Sequence, residues 1–128
     1  MKKKKGTQAY GEVRNKTLVA GSSPERLIQM LFEKACVLLR RSLNSLSEGE
    51  TEDFHKSSLH ALQIVVSLRY VLDTKKEDEL SASLYETYTA IAASLLKAKE
   101  TQDEIAFGKI YDALSELKDA WDILLSQG

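Results

Sequence analysis

Ser23-Pro24 fixes where regular structure begins in this chain. A serine hydroxyl accepts from an early orphan N–H of a helix, and proline fits the first helical position, where its missing donor costs nothing. The residues that follow keep the three- and four-residue spacing of a helix: Leu27, Ile28, Leu31, Ala35, Leu38, Ser42 and Leu46 form one apolar stripe. Met30 and Val37 sit beside that stripe, one heptad apart. The spacing predicts a helix over about 24–47 that carries more apolar surface than one packed seam uses. It closes near Ser47-Glu48-Gly49, because glycine tolerates the left-handed conformation that ends helices.

The same period recurs three more times. A second helix begins around Thr51 or Glu52, with Glu52 and Asp53 against the positive end of its dipole. Its core stripe is Phe54, Ser58, Ala61, Val65, Leu68 and Leu72, while Leu62, Ile64, Val66 and Val71 leave only a narrow polar edge through His60, Gln63 and Ser67. This helix is apolar on more than one side. Residues 73–78 have no periodic apolar residues and read as a loop. A third helix, about 78–99, turns Leu80, Leu84, Tyr88, Ile91, Leu95 and Ala98 inward. Thr101 to Glu104 matches a capping box, which starts a fourth helix running to about Ser126. Its inward residues are Phe107, Ile110, Leu114, Leu117, Trp121 and Leu124, and the Trp121 indole N–H will need an acceptor when buried. Gly108 interrupts this helix, either to let another helix approach closely or as a residue simply tolerated at a cost of about 1 kcal/mol.

Four amphipathic helices of similar length with short links pack most simply as an all-α, antiparallel up-down-up-down four-helix bundle. Residues 23–128 form this bundle, and residues 1–22 form a basic, partly flexible N-terminal arm with anchors at Tyr10, Val13, Leu18 and Val19. Charge is divided in the same way. Residues 1–16 hold six Lys and Arg against one acid, leaving twelve against eighteen in the rest of the chain. Lys2 to Lys5 read as a solvated tip, since a nucleic-acid site needs a structured basic surface behind such a run; no nucleic-acid partner is expected. At 43% apolar and 29% charged residues the chain has the balance of a soluble globular domain. No apolar run approaches the roughly 18 residues that span a bilayer, so stable membrane insertion is not expected and the cytoplasm is the expected location.

The pattern offers little chemistry. Cys36 stands alone and reads as a small buried hydrophobe. Glu52 to His55 has the Glu-x-x-His spacing of a di-iron helix, but a ferritin-like site needs a second such motif and two more inward glutamates. His55 therefore reads as an exposed residue of a first turn. His60 lies mid-helix, as in a histidine phosphotransfer domain, yet Ala61 to Ile64 lack the lysine and glycine that follow the histidine there. With no nucleophile signature, no phosphate loop and no inward carboxylate pair, the expectation is a binding protein, not an enzyme, with no cofactor and no metal.

Several short segments together resemble the FliS flagellin-specific export chaperones. They are Ala9-Tyr10-Gly11, Ser23-Pro24 followed by Leu27 to Leu31, Ile64 to Arg69, Leu84-Tyr85 and Asp119-Ala120-Trp121, and the likeness covers roughly residues 9–125. One departure is the loop between the second and third helices, where Lys75-Lys76-Glu77-Asp78 replaces the glycine pair of many members. The resemblance implies a cytoplasmic bundle that binds the disordered C-terminal region of flagellin, prevents premature polymerisation and helps deliver it to the type III export apparatus, with export-gate components as further partners. It also implies that the arm, with Tyr10 and Val13, lies over the bundle and overlaps the flagellin path. The residues expected to bind flagellin or line a groove are thus Tyr10, Val13, Met30, Val37, Ile64, Leu68, Val71 and Trp121. For Ile64, Leu68, Val71 and Trp121 an ordinary core position is the competing reading. The same grooves on a helical adaptor could serve another amphipathic partner.

Overall fold

The computed structural model describes residues 23–72 and 79–127. The arm with Tyr10 and Val13, the loop at 73–78 and the side chain of Leu80 lie outside the described residues. Among the described residues four helices follow one another: α1 (Pro24–Ser47), α2 (Thr51–Tyr70), α3 (Glu79–Thr101) and α4 (Glu104–Gln127). Among the described residues there is no strand.

Local chemistry sets the ends of these helices. The Ser23 hydroxyl accepts from the Arg26 N–H at 3.1 Å, with Pro24 in the first turn, as the opening dipeptide requires. At the other end of α1 the chain turns through Gly49 at φ +74°, where a side chain would be strained, and the Glu50 N–H returns to the Ser45 carbonyl at 2.8 Å. The start of α4 differs from the expected capping box. Thr101 still belongs to α3 and donates its hydroxyl to the Lys97 carbonyl, while the Asp103 carboxylate accepts from the Ala106 N–H at 3.1 Å. Gln102 adopts φ +51°, and the Asp103 N–H closes α3 against the Ala98 carbonyl at 3.1 Å. That left-handed turn spends Thr101 on ending one helix, so the next acid caps the following one.

Cross-helix bonds establish the antiparallel order. Ser42 and Ser57 hydroxyls meet at 2.8 Å between α1 and α2, Arg69 donates to Thr89 at 3.2 Å between α2 and α3, and the Trp121 indole donates to the Glu25 carbonyl at 3.1 Å between α4 and α1. Ser42 and Trp121 lie toward the ends of their helices and Ser57 and Glu25 toward the starts of theirs, and the His55–Lys99 contact at 3.1 Å likewise sets the start of α2 beside the end of α3, while Arg69 near the end of α2 reaches the middle of α3. The helices thus run up-down-up-down, with α1 packed most extensively on α2 and α3 least on α4.

The inward row expected for α2 is the observed one, and those of α3 and α4 hold at their centres, with Leu84, Leu117 and Leu124 only half-buried. Phe54, Ala61, Val65, Leu68 and Leu72 are fully buried, as are Tyr88, Leu95, Phe107 and Leu114. On α1 the seam is rotated from the expected stripe. Ile28, Phe32, Ala35, Leu39 and Ser42 face the core, whereas Leu27, Leu31 and Leu46 are half-buried on its flank. Phe32 explains the rotation: its ring lies 6.4 Å from both Tyr88 and Trp121, a site only the row through residue 32 reaches. Where α1 meets α2 lie Ser42, Ser45, Ser57 and Ser58, all buried, whose small side chains allow close approach and whose hydroxyls bond to one another, to backbone carbonyls or, for Ser45, to the Asp53 carboxylate.

Gly108 is not a close-approach site, because a Cβ built there meets nothing within 4 Å. Gly108→Ala is expected to raise stability by about 0.5–1 kcal/mol through lower entropy of the unfolded chain. Urea unfolding checks this, and a loss of stability would show that the glycine answers a packing need.

Candidate functional site

Among the described residues no group of His, Cys, Asp and Glu is arranged to hold a metal, and no helix is long and apolar enough to cross a membrane. Cys36 is buried, and that burial pushes its thiol pKa up, which keeps it a hydrophobe instead of a nucleophile. His55 is not the exposed first-turn residue that its position suggests. Its ring lies 5.2 Å from that of Phe54, and its Nδ1 accepts from the Lys99 ammonium at 3.1 Å. His60 is exposed in the middle of α2.

The residues expected at the binding surface divide into two groups. Met30 and Val37 are open to solvent, at 45% and 61% exposure, on the outer face of α1, in the row of Lys34 and of Arg41, which reaches Asp53 on α2. Ile64, Leu68, Val71 and Trp121 are buried, so the structure places them in the core, and Trp121 has the acceptor its indole needed. The outer α1/α2 seam is not continuously apolar, since Lys34 and Arg41 interrupt it at the helical spacing of Met30 and Val37. Arg41 ties it down at one end. Its guanidinium donates twice to Asp53, at 2.6 and 3.2 Å, and the Ser45 hydroxyl donates to the same carboxylate.

These donors, Arg41 first, lower the Asp53 pKa to about 2. A depressed carboxylate pKa means that the native state holds its proton less tightly than the unfolded chain does. Stability from Asp53 is therefore complete above its unfolded pKa and lost as pH falls through its folded one. Asp53→Asn is expected to unfold more easily than the parent protein near neutrality. The gap in urea midpoint should close between the model-peptide value of 3.8 and about 2; a gap independent of pH would place the effect outside this carboxylate.

A second surface lies between α2 and α3. On α2 the row His55, Leu59, Leu62, Val66 and Arg69 advances by four, three, four and three residues, the period of a seam. On α3 the row Tyr85, Thr89, Ala92, Leu96 and Lys99 does the same. Two cross-helix contacts set these rows side by side: His55 with Lys99 at one end, and Arg69 with Thr89 at the other, the Arg69 guanidinium lying 5.2 Å from the Tyr85 ring centroid. Between them lie Leu59 (47% exposed), Val66 (42%) and Leu96 (47%), floored by half-buried Leu62 and Ala92, with Tyr85 (41%) at the Arg69 end. The core uses the other faces of both helices. What remains is an apolar groove two heptads long, about 21 Å, with no carboxylate in either row.

The apolar excess on α2 was visible in sequence, but its location was not. Leu59 and Leu96 gave no separate signal, because a leucine outside one helical stripe is unremarkable until a neighbouring row is known to meet it. The α1/α4 seam is polar by contrast: Gln29 donates to Asp122 at 2.8 Å, Lys118 pairs with the same carboxylate at 2.9 Å, and Arg40 lies over the Tyr111 ring. The apolar outer surface thus concentrates on the α2/α3 side.

Known proteins match this sequence over nearly its whole length. The sequence profile of the family described as "Flagellar protein FliS" matches residues 6–127. The flagellar secretion chaperone FliS of Salmonella typhimurium is 31% identical over 117 residues, which cover 91% of this chain and 87% of the relative. That of Escherichia coli is 29% identical over 118 residues, with the same coverage, and the FliSB chaperone of Pseudomonas aeruginosa is 25% identical over 118 residues, covering 92% of this chain and 94% of the relative. A four-helix chain matched over nearly its whole length by this profile and these relatives belongs to the FliS family of flagellar secretion chaperones.

Proposed function

We propose that this protein binds the disordered C-terminal region of flagellin in the cytoplasm, keeps it from polymerising and carries it to the flagellar type III export apparatus. The observation that supports this reading best is the exposed apolar groove between α2 and α3. An amphipathic segment laid in such a groove buries its apolar face at the i, i+3, i+4 and i+7 positions. A segment that orders as it binds loses conformational entropy, so useful affinity needs a long contact. The outer α1/α2 seam at Met30 and Val37 extends that contact. The arm, through Tyr10 and Val13, covers part of this surface in the free protein and yields to flagellin. The role is that of a binder, not of an enzyme.

Titration with a C-terminal flagellin segment from the same organism, followed by calorimetry and far-ultraviolet circular dichroism, tests this. The expected result is saturable binding with a gain of helix beyond the sum of the separate components. Absence of binding would overturn the reading and favour an adaptor for a different amphipathic partner. Deleting residues 1–20 is expected to change the affinity while the helical signal of the bundle is kept; an unchanged affinity would remove the arm from the mechanism.

A further inference from the structure

The α2/α3 groove has a charge pattern that its apolar floor does not require. Of the ten positions in its two rows none is acidic, and the two that are always charged, Arg69 and Lys99, are both cationic and stand at opposite ends. Residues 17–128 carry eighteen acids against twelve Lys and Arg, so a groove with only cations in it departs from the body around it. Neither cation has an ion pair with a carboxylate among the described residues. Their contacts are with neutral groups instead: Arg69 with the Thr89 hydroxyl and the Tyr85 ring, Lys99 with the His55 ring nitrogen. These contacts hold each charge at the mouth of the groove without neutralising it, so a carboxylate arriving there would complete a pair.

We infer that Arg69 and Lys99 determine which segments the groove accepts, selecting an amphipathic helix that has a carboxylate at each end of an apolar stripe two heptads long. This rests on the reading of the groove as a docking site for a helical segment, and adds the chemistry of its occupant. The apolar floor supplies affinity but cannot fix register, because a leucine row can slide by a heptad and find equivalent contacts. Two cations two heptads apart, about 21 Å along the groove, remove that freedom: only one register satisfies both ends. Since both ends carry the same sign, a segment rich in lysine or arginine at its flanks is repelled in either direction.

The test uses the full chain and two synthetic helical peptides with leucines at the a and d positions of two heptads, one flanked by glutamates and the other by lysines two heptads apart. At about 50 mM salt the glutamate-flanked peptide is expected to bind roughly tenfold more tightly, as two exposed pairs near the upper end of their usual strength allow, and about 0.5 M salt should erase most of the difference. Arg69→Gln with Lys99→Gln should remove the preference, and Arg69→Glu with Lys99→Glu should reverse it, while circular dichroism confirms that each variant is folded. Each cation also lies in the last turn of its own helix, where it complements the macrodipole. A purely structural role of that kind would move the melting temperature and leave the peptide preference as it was. Equal affinity for the two peptides, a preference unchanged in the variants, or no binding of either peptide would overturn the inference. Titration of the same variants with the flagellin segment separates the two readings: loss of flagellin binding in Leu96→Glu but not in the charge variants keeps the groove and rejects the selecting cations.

Discussion

Phe54→Ala is expected to lower the free energy of unfolding by about 3–5 kcal/mol, the usual cost of truncating a fully buried aromatic residue. Phe54 has no exposed surface, and its ring lies 5.2 Å from that of Phe107 at a 57° tilt, joining the first turn of α2 to the first turn of α4. The short links before α2 and α4 bring both helix starts to one end of the bundle, where the two rings pack on each other. Domains of this size are stable by about 5–15 kcal/mol, and the variant would therefore lose a large share of the total. Phe54→Leu, which keeps most of the volume, should cost about 1.5 kcal/mol or less. Urea unfolding measures both. A cost below about 1 kcal/mol for the alanine variant would mean that this end of the bundle collapses around the gap and is packed less rigidly than the ring geometry indicates.

Leu96→Glu carries the largest expected effect on binding. Leu96 is 47% exposed in the α2/α3 groove and belongs neither to the buried core nor to the half-buried residues packed on it. A surface substitution of this kind should change stability by about 0.5 kcal/mol or less. In the proposed complex, however, the same position faces the buried stripe of the partner, where loss of a central anchor costs about 2 kcal/mol or more, roughly a thirtyfold weaker Kd. Val66→Glu, across the groove, should act in the same direction. Val37→Glu on the α1/α2 seam should act less strongly, because Lys34 and Arg41 already break that seam. Calorimetric titration with the flagellin segment ranks the three. If Val37→Glu weakened binding more than Leu96→Glu, the α1/α2 seam would be the principal contact.

The rows that proved easy to read were those with only one apolar face. On α3 and α4 the inward residues follow from period alone, and Tyr88, Leu95, Phe107 and Leu114 are buried as the spacing requires. On α1 the expected stripe through Leu27, Leu31 and Leu46 is overlapped by a row through Phe32 and Leu39, with Ile28, Ala35, Leu38 and Ser42 buried in either case. The fold resolved that competition through volume: a phenylalanine fits between Tyr88 and Trp121, and the helix rotates to place it there. Thr101 shows the same limit at a helix end. Its motif fits a capping box, yet the turn at Gln102 assigns the cap to Asp103.

The sequence by itself determined the four helices, their starts at Ser23-Pro24 and Thr51, and the all-α bundle, because capping and 3.6-residue periodicity act between residues a few positions apart. Family membership was legible for a similar reason, since short segments in a set order carry it. Where a helix carries more than one apolar face, only the tertiary structure decided which apolar residues are core and which are surface. Ile64, Leu68, Val71 and Trp121 turn inward and Met30 and Val37 outward, while the groove of Leu59, Val66, Tyr85 and Leu96 exists only once α2 and α3 are paired. That pairing joins His55 to Lys99 and Arg69 to Thr89 across a long separation in the chain. No periodicity within one helix records which row of its neighbour it will meet, because that choice is set by how the volumes of all four helices fill a common core.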